Sequence, residues 1–237
     1  MRVYYLSSAP FALSNLSLKR LKISRFSDLN DPFELLAANL ENLEHRMAFA
    51  AMKTQLNETK GLICFSRTWS NPLLWGHYAE KHTGIALGFD VPDQLLSQVL
   101  YTSQRVRIDV DSKTKRPKLD EALVNRLLRT KFVDWKYEDE YRLFVQLDPA
   151  TKESGLFFQD FSEDLRLAEV VLGPKCELPI DRVRSLLQND LPHVKVLKAR
   201  MAFRTFRVTE DRSFRRGASG AQPINPSAQR DEAAQRR

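Results

Sequence analysis

The segment WKYEDEYR, residues 135–142, carries two glutamates, Glu138 and Glu140, two positions apart. In extended backbone that spacing puts both carboxyl groups on one face. Held side by side next to a Trp, they perturb each other's pKa and can act as a base or accept a hydrogen bond from a ribose hydroxyl. The same residues also suit a salt-bridged strand entrance, with Arg142, Lys136 or Arg107 as partner. Residue types alone leave both readings open.

A second candidate is LLWGHYAEKHTGIALGFD, residues 73–90. A helix from Asn71 or Pro72 to about His82, turning about 100° per residue, places Leu74, Trp75, Tyr78, Ala79 and His82 on one apolar face. His77 lies at the edge of that face, beside Leu73 and Lys81, where it can be held by packing and still reach a cleft. A half-buried His serves equally well as ordinary packing. His82, in the last turn, is expected to bond a free carbonyl there, with its charged form favoured by the helix dipole, and Gly84 is expected to stop the helix.

The third candidate is FSDLNDPFE. Asp28, Asn30 and Asp31 match calcium-loop ligands in type, but the loop lacks the Gly and the distal Glu of an EF-hand. No metal site is expected, and a rigid turn forming a cleft wall fits better, with Asp31 as N-cap and Pro32 at the first helical position. There is no Gly-rich phosphate loop, GxSxG, HExxH or paired CxxC. Cys64 and Cys176 have no partner at metal-like spacing, so a reducing cytosol is the simplest setting.

The elements that must position these residues follow from periodicity and turn chemistry. A Tyr-rich strand (VYYL, 3–6), a short helix around 12–18 and a second strand (LKIS, 21–24) open the chain. A long helix is expected from Pro32 to about Leu56. GLICFS (61–66) reads as a strand buried on both faces, and IALGFD (85–90) as the next. Further strands are expected at 99–109, 140–147 and 168–172, helices at 119–132 and from 179 or 181 to about 189, and then the strand VKVLKA. FRTFRV, which interleaves Phe203 and Phe206 with Arg204 and Arg207, could close the sheet as a basic edge strand. Strands and helices mixed without regular alternation predict an α+β fold: one domain over 1–212, with a mixed or split sheet flanked by helices.

Residues 109–117 read as a polar mobile loop, and 213–237 as a disordered basic tail with almost nothing to bury. Of the formal charge of +7, the stretch from Arg200 onward carries +5 and the rest +2. No run reaches the roughly 20 apolar residues of a membrane span, and no signal-peptide core is visible, so a cytoplasmic protein without a membrane partner is expected. FRTFRV with the Arg-rich tail also suits a non-enzymatic module that grips nucleic acid or protein by stacking and phosphate contact.

Taken in order, VYYL, LKISRFSDLNDPFE, ICFSRTWSNPLLWGHYAEKHTGIALGFD and WKYEDEYR resemble the bacterial family known as "domain of unknown function 2971", over residues 1 to about 175. The resemblance marks Asn30, Asp31, Pro32, Phe33, Trp75, His77, Tyr78, His82, Gly84, Trp135, Tyr137, Glu138, Glu140 and Arg142 as motif positions, and it implies no activity. A weaker resemblance, in the order of elements, is to ADP-ribosyltransferases, which bind NAD in the cleft of a split sheet. It implies NAD as substrate of a transferase or glycohydrolase with a toxin or phage-defence role. Glu138 or Glu140 would bond the ribose, Tyr5, Trp75 and Tyr78 would stack on nicotinamide, and His77 would stand in for the charged residue that Tyr5 replaces on the first strand.

Overall fold

A computed structural model describes residues 1–110 and 118–215. Most of the segment expected as a polar loop (109–117) and of the basic tail (213–237) lies outside the described residues. In chain order the strands are β1 (Arg2–Ser7), β2 (Arg20–Ile23), β3 (Lys60–Ser66), β4 (Ile85–Asp90), β5 (Leu96–Gln98), β6 (Leu100–Thr102), β7 (Thr130–Phe132), β8 (Glu140–Gln146), β9 (Phe157–Asp160), β10 (Arg166–Leu172), β11 (Lys195–Met201) and β12 (Val208–Glu210). The helices are α1 (Ala9–Leu18), α2 (Leu43–Thr59), α3 (Pro72–Tyr78), α4 (Glu121–Leu127) and α5 (Ile180–Leu187). The class is α+β, as the mixed periodicities predict.

Eight strands form one sheet in the order β12-β11-β10-β4-β1-β3-β8-β5, parallel between β10 and β11 and antiparallel at the other registered seams. The pairs β2–β9 and β6–β7 stand apart from it. β1 pairs with β4 from Arg2↔Asp90 to Ser7↔Ile85, and β3 pairs with β8 from Lys60↔Gln146 to Ser66↔Glu140. β1 and β3, however, are in register at Tyr4↔Ser66 alone. The sheet therefore opens at its centre, and the cleft described below occupies that opening.

β3 is covered on both sides, as its unbroken apolar run requires. Ile63 and Phe65 enter a core with Val3, Leu87, Phe89 and Val170, while Leu62 faces Phe26, Leu35, Phe49 and Leu127. A third cluster joins Trp75, Ala86, Val171 and Val208 beneath α3.

Several expected boundaries are corrected. The long helix from Pro32 does not form: a turn at 32–35 ends with Leu35 in the left-handed region (φ 64°), and Ala38 bridges to Val106. α2 starts only after Asn42, whose side chain accepts from the Glu44 N–H at 2.7 Å and caps it. The helix expected to reach His82 stops at Tyr78, because Glu80, Lys81 and His82 all have positive φ. Gly84 is thus not the helix stop. It is needed for close approach, since a Cβ there would lie 2.2 Å from the Ser7 carbonyl oxygen. The helix expected at 119–132 divides into α4 and β7, and of FRTFRV residues 203–207 belong to the loop after β11, the edge strand β12 starting only at Val208.

Candidate active site

Past Tyr4↔Ser66 the two halves of the sheet diverge around a cleft of about 210 Å³, walled by Tyr4 and Tyr5 of β1, Cys64 of β3 and Tyr78 of α3, with Glu138 and Glu140 in its lining. The glutamates meet there by a route other than a straight strand. Residues 133–138 form a 3₁₀ turn, Asp139 takes the left-handed conformation (φ 45°, ψ 56°), and β8 begins at Glu140. The kink still leaves both carboxyl groups on one cation. Lys131 Nζ donates to Glu138 Oε2 at 2.5 Å and to Glu140 Oε2 at 3.3 Å.

Arg142, two residues along the same strand face, is fully buried and fully paired. Its Nε donates to Glu140 Oε1 at 2.8 Å and its Nη2 to Glu140 Oε2 at 3.2 Å. The guanidinium also grips Glu34 through Nη1 at 2.6 Å and Nη2 at 3.0 Å, and Nη1 donates to the Leu128 carbonyl at 2.7 Å. Glu34 is delivered by the NDPFE turn. Asp31, itself buried, accepts from the Phe33 N–H at 2.9 Å, and its carbonyl accepts from the Glu34 N–H at 3.0 Å. Asp31 thus builds the wall expected of this turn, without acting as the cap of a long helix.

Three carboxyl groups, Glu34, Glu138 and Glu140, share two cations, Lys131 and Arg142, so the cluster is one positive charge short of balance. The deficit falls unevenly. Burial pushes the Glu140 carboxyl up, but Arg142 and Lys131 outweigh it and hold the group at about 2. Glu138 has only Lys131 as an ionic partner; burial, helped by the neighbouring Glu140 charge, wins and raises its carboxyl above the usual range. The Tyr78 hydroxyl donates a short hydrogen bond to Glu138 Oε1. Burial and the Glu138 charge keep that phenol protonated by raising it strongly, and burial pushes Tyr5 up to about 12. Burial likewise raises Glu34 in spite of Arg142, so the cleft presents neutral phenols and two carboxyl groups held above the usual range, of which Glu138 is the one that Arg142 does not grip.

Of the residues singled out in the sequence, Tyr5, Asp28, Asn30, Tyr78, Glu138, Glu140 and Arg142 line this cleft, and Asp31 supports it from behind. His77 does not line it. Its side chain is exposed on α3 with its ring 5.8 Å from that of Tyr137, which in turn lies 6.0 Å from Trp135. Trp75 is buried in the third core cluster, its Nε1 donating to the Trp69 carbonyl at 2.6 Å, so its ring has no access to a ligand in the cleft. His82 is corrected as well. It lies beyond the helix, its buried Nδ1 has no partner, and burial, aided by Lys175, lowers its pKa, the reverse of a dipole-favoured charge.

Glu34 and Lys131 were not legible as site residues. The three-residue offset from Asp31 to Glu34 does resemble a capping box, a pattern that would send the Glu back to the backbone instead of to Arg142. Lys131 sits in TKF with nothing in its spacing to mark it. Among the described residues no group of three or more His, Cys, Asp or Glu is arranged to hold a metal ion, and no helix is long and apolar enough to cross a membrane.

Residues 74–143 match the model of the family described as "Protein of unknown function (DUF2971)". That span contains α3 from Leu74 onward, Lys131 and the 138–142 motif, while β1, Glu34 and β3 lie outside it. No curated protein and no solved structure matches the chain.

Proposed function

We propose that the central cleft, whose Lys131, Glu138 and Glu140 lie in the segment similar to the DUF2971 family, cleaves the N-glycosidic bond of a pyridinium nucleotide, with NAD as substrate, as a transferase or glycohydrolase. The observation that carries this reading is Glu138. Burial raises both Glu34 and Glu138, but Glu34 is gripped by both terminal nitrogens of Arg142, whereas Glu138 has Lys131 as its one ion-pair partner and sits among tyrosines where the sheet parts.

The chemistry follows from charge. When the C1′–N bond breaks, nicotinamide leaves with the bonding pair as a neutral molecule, so no acid is required, and positive charge develops on the ribose. A fixed carboxylate beside C1′ stabilises that charge more than it does the ground state, which is the condition for acceleration. Glu138 supplies the carboxylate and accepts the ribose 2′-hydroxyl. Tyr78 and Lys131 fix its two oxygens, and Tyr5 offers an aromatic wall to the ring. Glu140, locked between Arg142 and Lys131, orients the cation that holds Glu138. Water, or an acceptor hydroxyl, then adds to C1′ and releases a proton.

The missing positive charge of the cluster is one that a pyridinium cation brings. At about 210 Å³ the cleft is smaller than the roughly 300–1,000 Å³ of a whole-ligand pocket. It suits nicotinamide and its ribose, with the adenylate half lying outside. Consumption of NAD is chemistry suited to a toxin or phage-defence effector, and that role is part of the proposal.

Nicotinamide release from NAD, followed chromatographically, tests it. The wild-type chain should release nicotinamide, more slowly as pH falls through the raised Glu138 pKa. Glu138→Gln should lose about 10²–10³-fold in rate, the size found when one preorganised charge-stabilising group is removed, with an unchanged unfolding midpoint. Equal turnover in the two proteins, or neither turnover nor thermal stabilisation of wild type by NAD, would sink the proposal.

A further inference from the structure

The loop from β11 to β12, MAFRTFRV, carries two phenylalanines in full contact with solvent, Phe203 at 90% and Phe206 at 99% relative exposure. Such exposure for two large rings three residues apart is costly unless they meet a partner. The segment is tightly built. Ala202 N–H donates to the Arg207 carbonyl at 2.9 Å and Arg207 N–H to the Thr205 carbonyl at 2.9 Å. Val208, fully buried, pins the loop base through its N–H to the Ser70 carbonyl at 2.8 Å. The rings are therefore held outward by a closed hairpin tip.

Guanidinium groups alternate with the rings: Arg200, Phe203, Arg204, Phe206, Arg207. The Arg200 guanidinium lies 4.3 Å from the Phe203 ring centroid, and its Nη1 is tied to the Met201 carbonyl at 2.9 Å. We propose that this tip is a binding site for single-stranded nucleic acid, with bases stacked on Phe203 and Phe206 and phosphates held by Arg200, Arg204 and Arg207. Aromatic faces interleaved with cations are what a strand of unpaired bases and regularly spaced charges requires. A lipid bilayer fits less well. Burying the Phe203 ring in hydrocarbon would draw the Arg200 guanidinium on its face in with it, against a large desolvation cost. An edge strand blunted by basic residues is excluded by the loop geometry, since residues 203–207 pair with no strand. The proposal is independent of the cleft chemistry.

The Arg-rich C-terminal sequence would attract any polyanion by charge alone, so the test changes the rings and leaves every charge in place. Fluorescence anisotropy of the full chain with a labelled mixed-sequence single strand of about 20 nucleotides, longer than the roughly 4–16 nucleotides of a compact single-strand site, should show binding that weakens steeply with salt. The double variant Phe203→Ala, Phe206→Ala should bind at least about tenfold more weakly, with the salt slope and unfolding midpoint unchanged. Three results would overturn the proposal. They are no binding to the strand, equal binding by the double variant, or loss in that variant of binding to phosphatidylserine vesicles with strand binding intact.

Discussion

At the scale of single residues, the unusual feature is five buried charged groups in one contiguous cluster, with Arg142 at its centre. Taking ions out of water is costly, and the cost is recovered only where each lone pair and proton is satisfied. Arg142 meets that condition, with Glu34, Glu140 and the Leu128 carbonyl around its guanidinium. Its removal would leave Glu34 buried without an ion-pair partner and Glu140 with Lys131 alone. Arg142→Ala should therefore lower the unfolding free energy by about 3–5 kcal/mol, the cost of breaking a buried pair from one side, as read by denaturant titration. Glu138→Gln keeps Lys131 on Glu140 at 3.3 Å and should leave the unfolding midpoint unchanged. A loss below about 1 kcal/mol for Arg142→Ala would put it in the range of exposed pairs and show that water takes its place. The Glu138, Glu140 and Arg142 part of the cluster was legible because an alternating spacing survives even the Asp139 kink. Glu34 and Lys131 were not, because their partners are 108 residues away in one case and unmarked by any pattern in the other.

At the scale of elements, strands were read better than helices. β1, β3, β4, β8 and β10 are runs whose apolar content leaves little alternative, and each lies close to where the periodicity puts it. Helix ends were misplaced where capping side chains and tertiary bridges decide them. Asn42 rather than Asp31 starts α2, and three left-handed residues end α3 early. Glycine gives a test with opposite signs within one motif. A Cβ on Gly84 would press on backbone atoms of Ser7 and Ala79, which cannot swing aside, whereas one on Gly76 would meet nothing within 4 Å. Gly84→Ala should destabilise by about 1–3 kcal/mol or more, the range for overpacking. Gly76→Ala, at an exposed position inside α3, should stabilise by about 0.5–1 kcal/mol by removing backbone freedom from the unfolded chain. Thermal melts of both variants check the pair, and destabilisation by Gly76→Ala would contradict the open space seen around it.

At the scale of the whole molecule, the same cluster shapes the response to pH, because it joins β8 to β7, to the 32–35 turn and to the 3₁₀ turn before β8. Glu140 has a folded value of about 2 against an ordinary 4.5, so its contribution is complete above 4.5 and is lost as pH falls toward 2. Glu34 and Glu138 are raised, chiefly by burial, and act in the opposite sense. Their protonation favours the folded state, so what they contribute is complete below 4.5 and is lost as pH rises through their folded values. Together these groups place the stability maximum on the acid side of neutrality, just above the ordinary carboxyl value. Below it the decline is reinforced by self-repulsion in a chain already at a formal charge of +7 at neutral pH. Unfolding free energies measured from neutral pH down to 2.5 should trace this arch in the wild type. In Glu140→Gln the deficit relative to wild type should be constant above 4.5 and shrink steadily below it, as acid protonates wild-type Glu140 into a neutral group like the amide. A deficit that stays constant down to pH 2.5 would mean that Glu140 is not the ion held by Arg142 and Lys131.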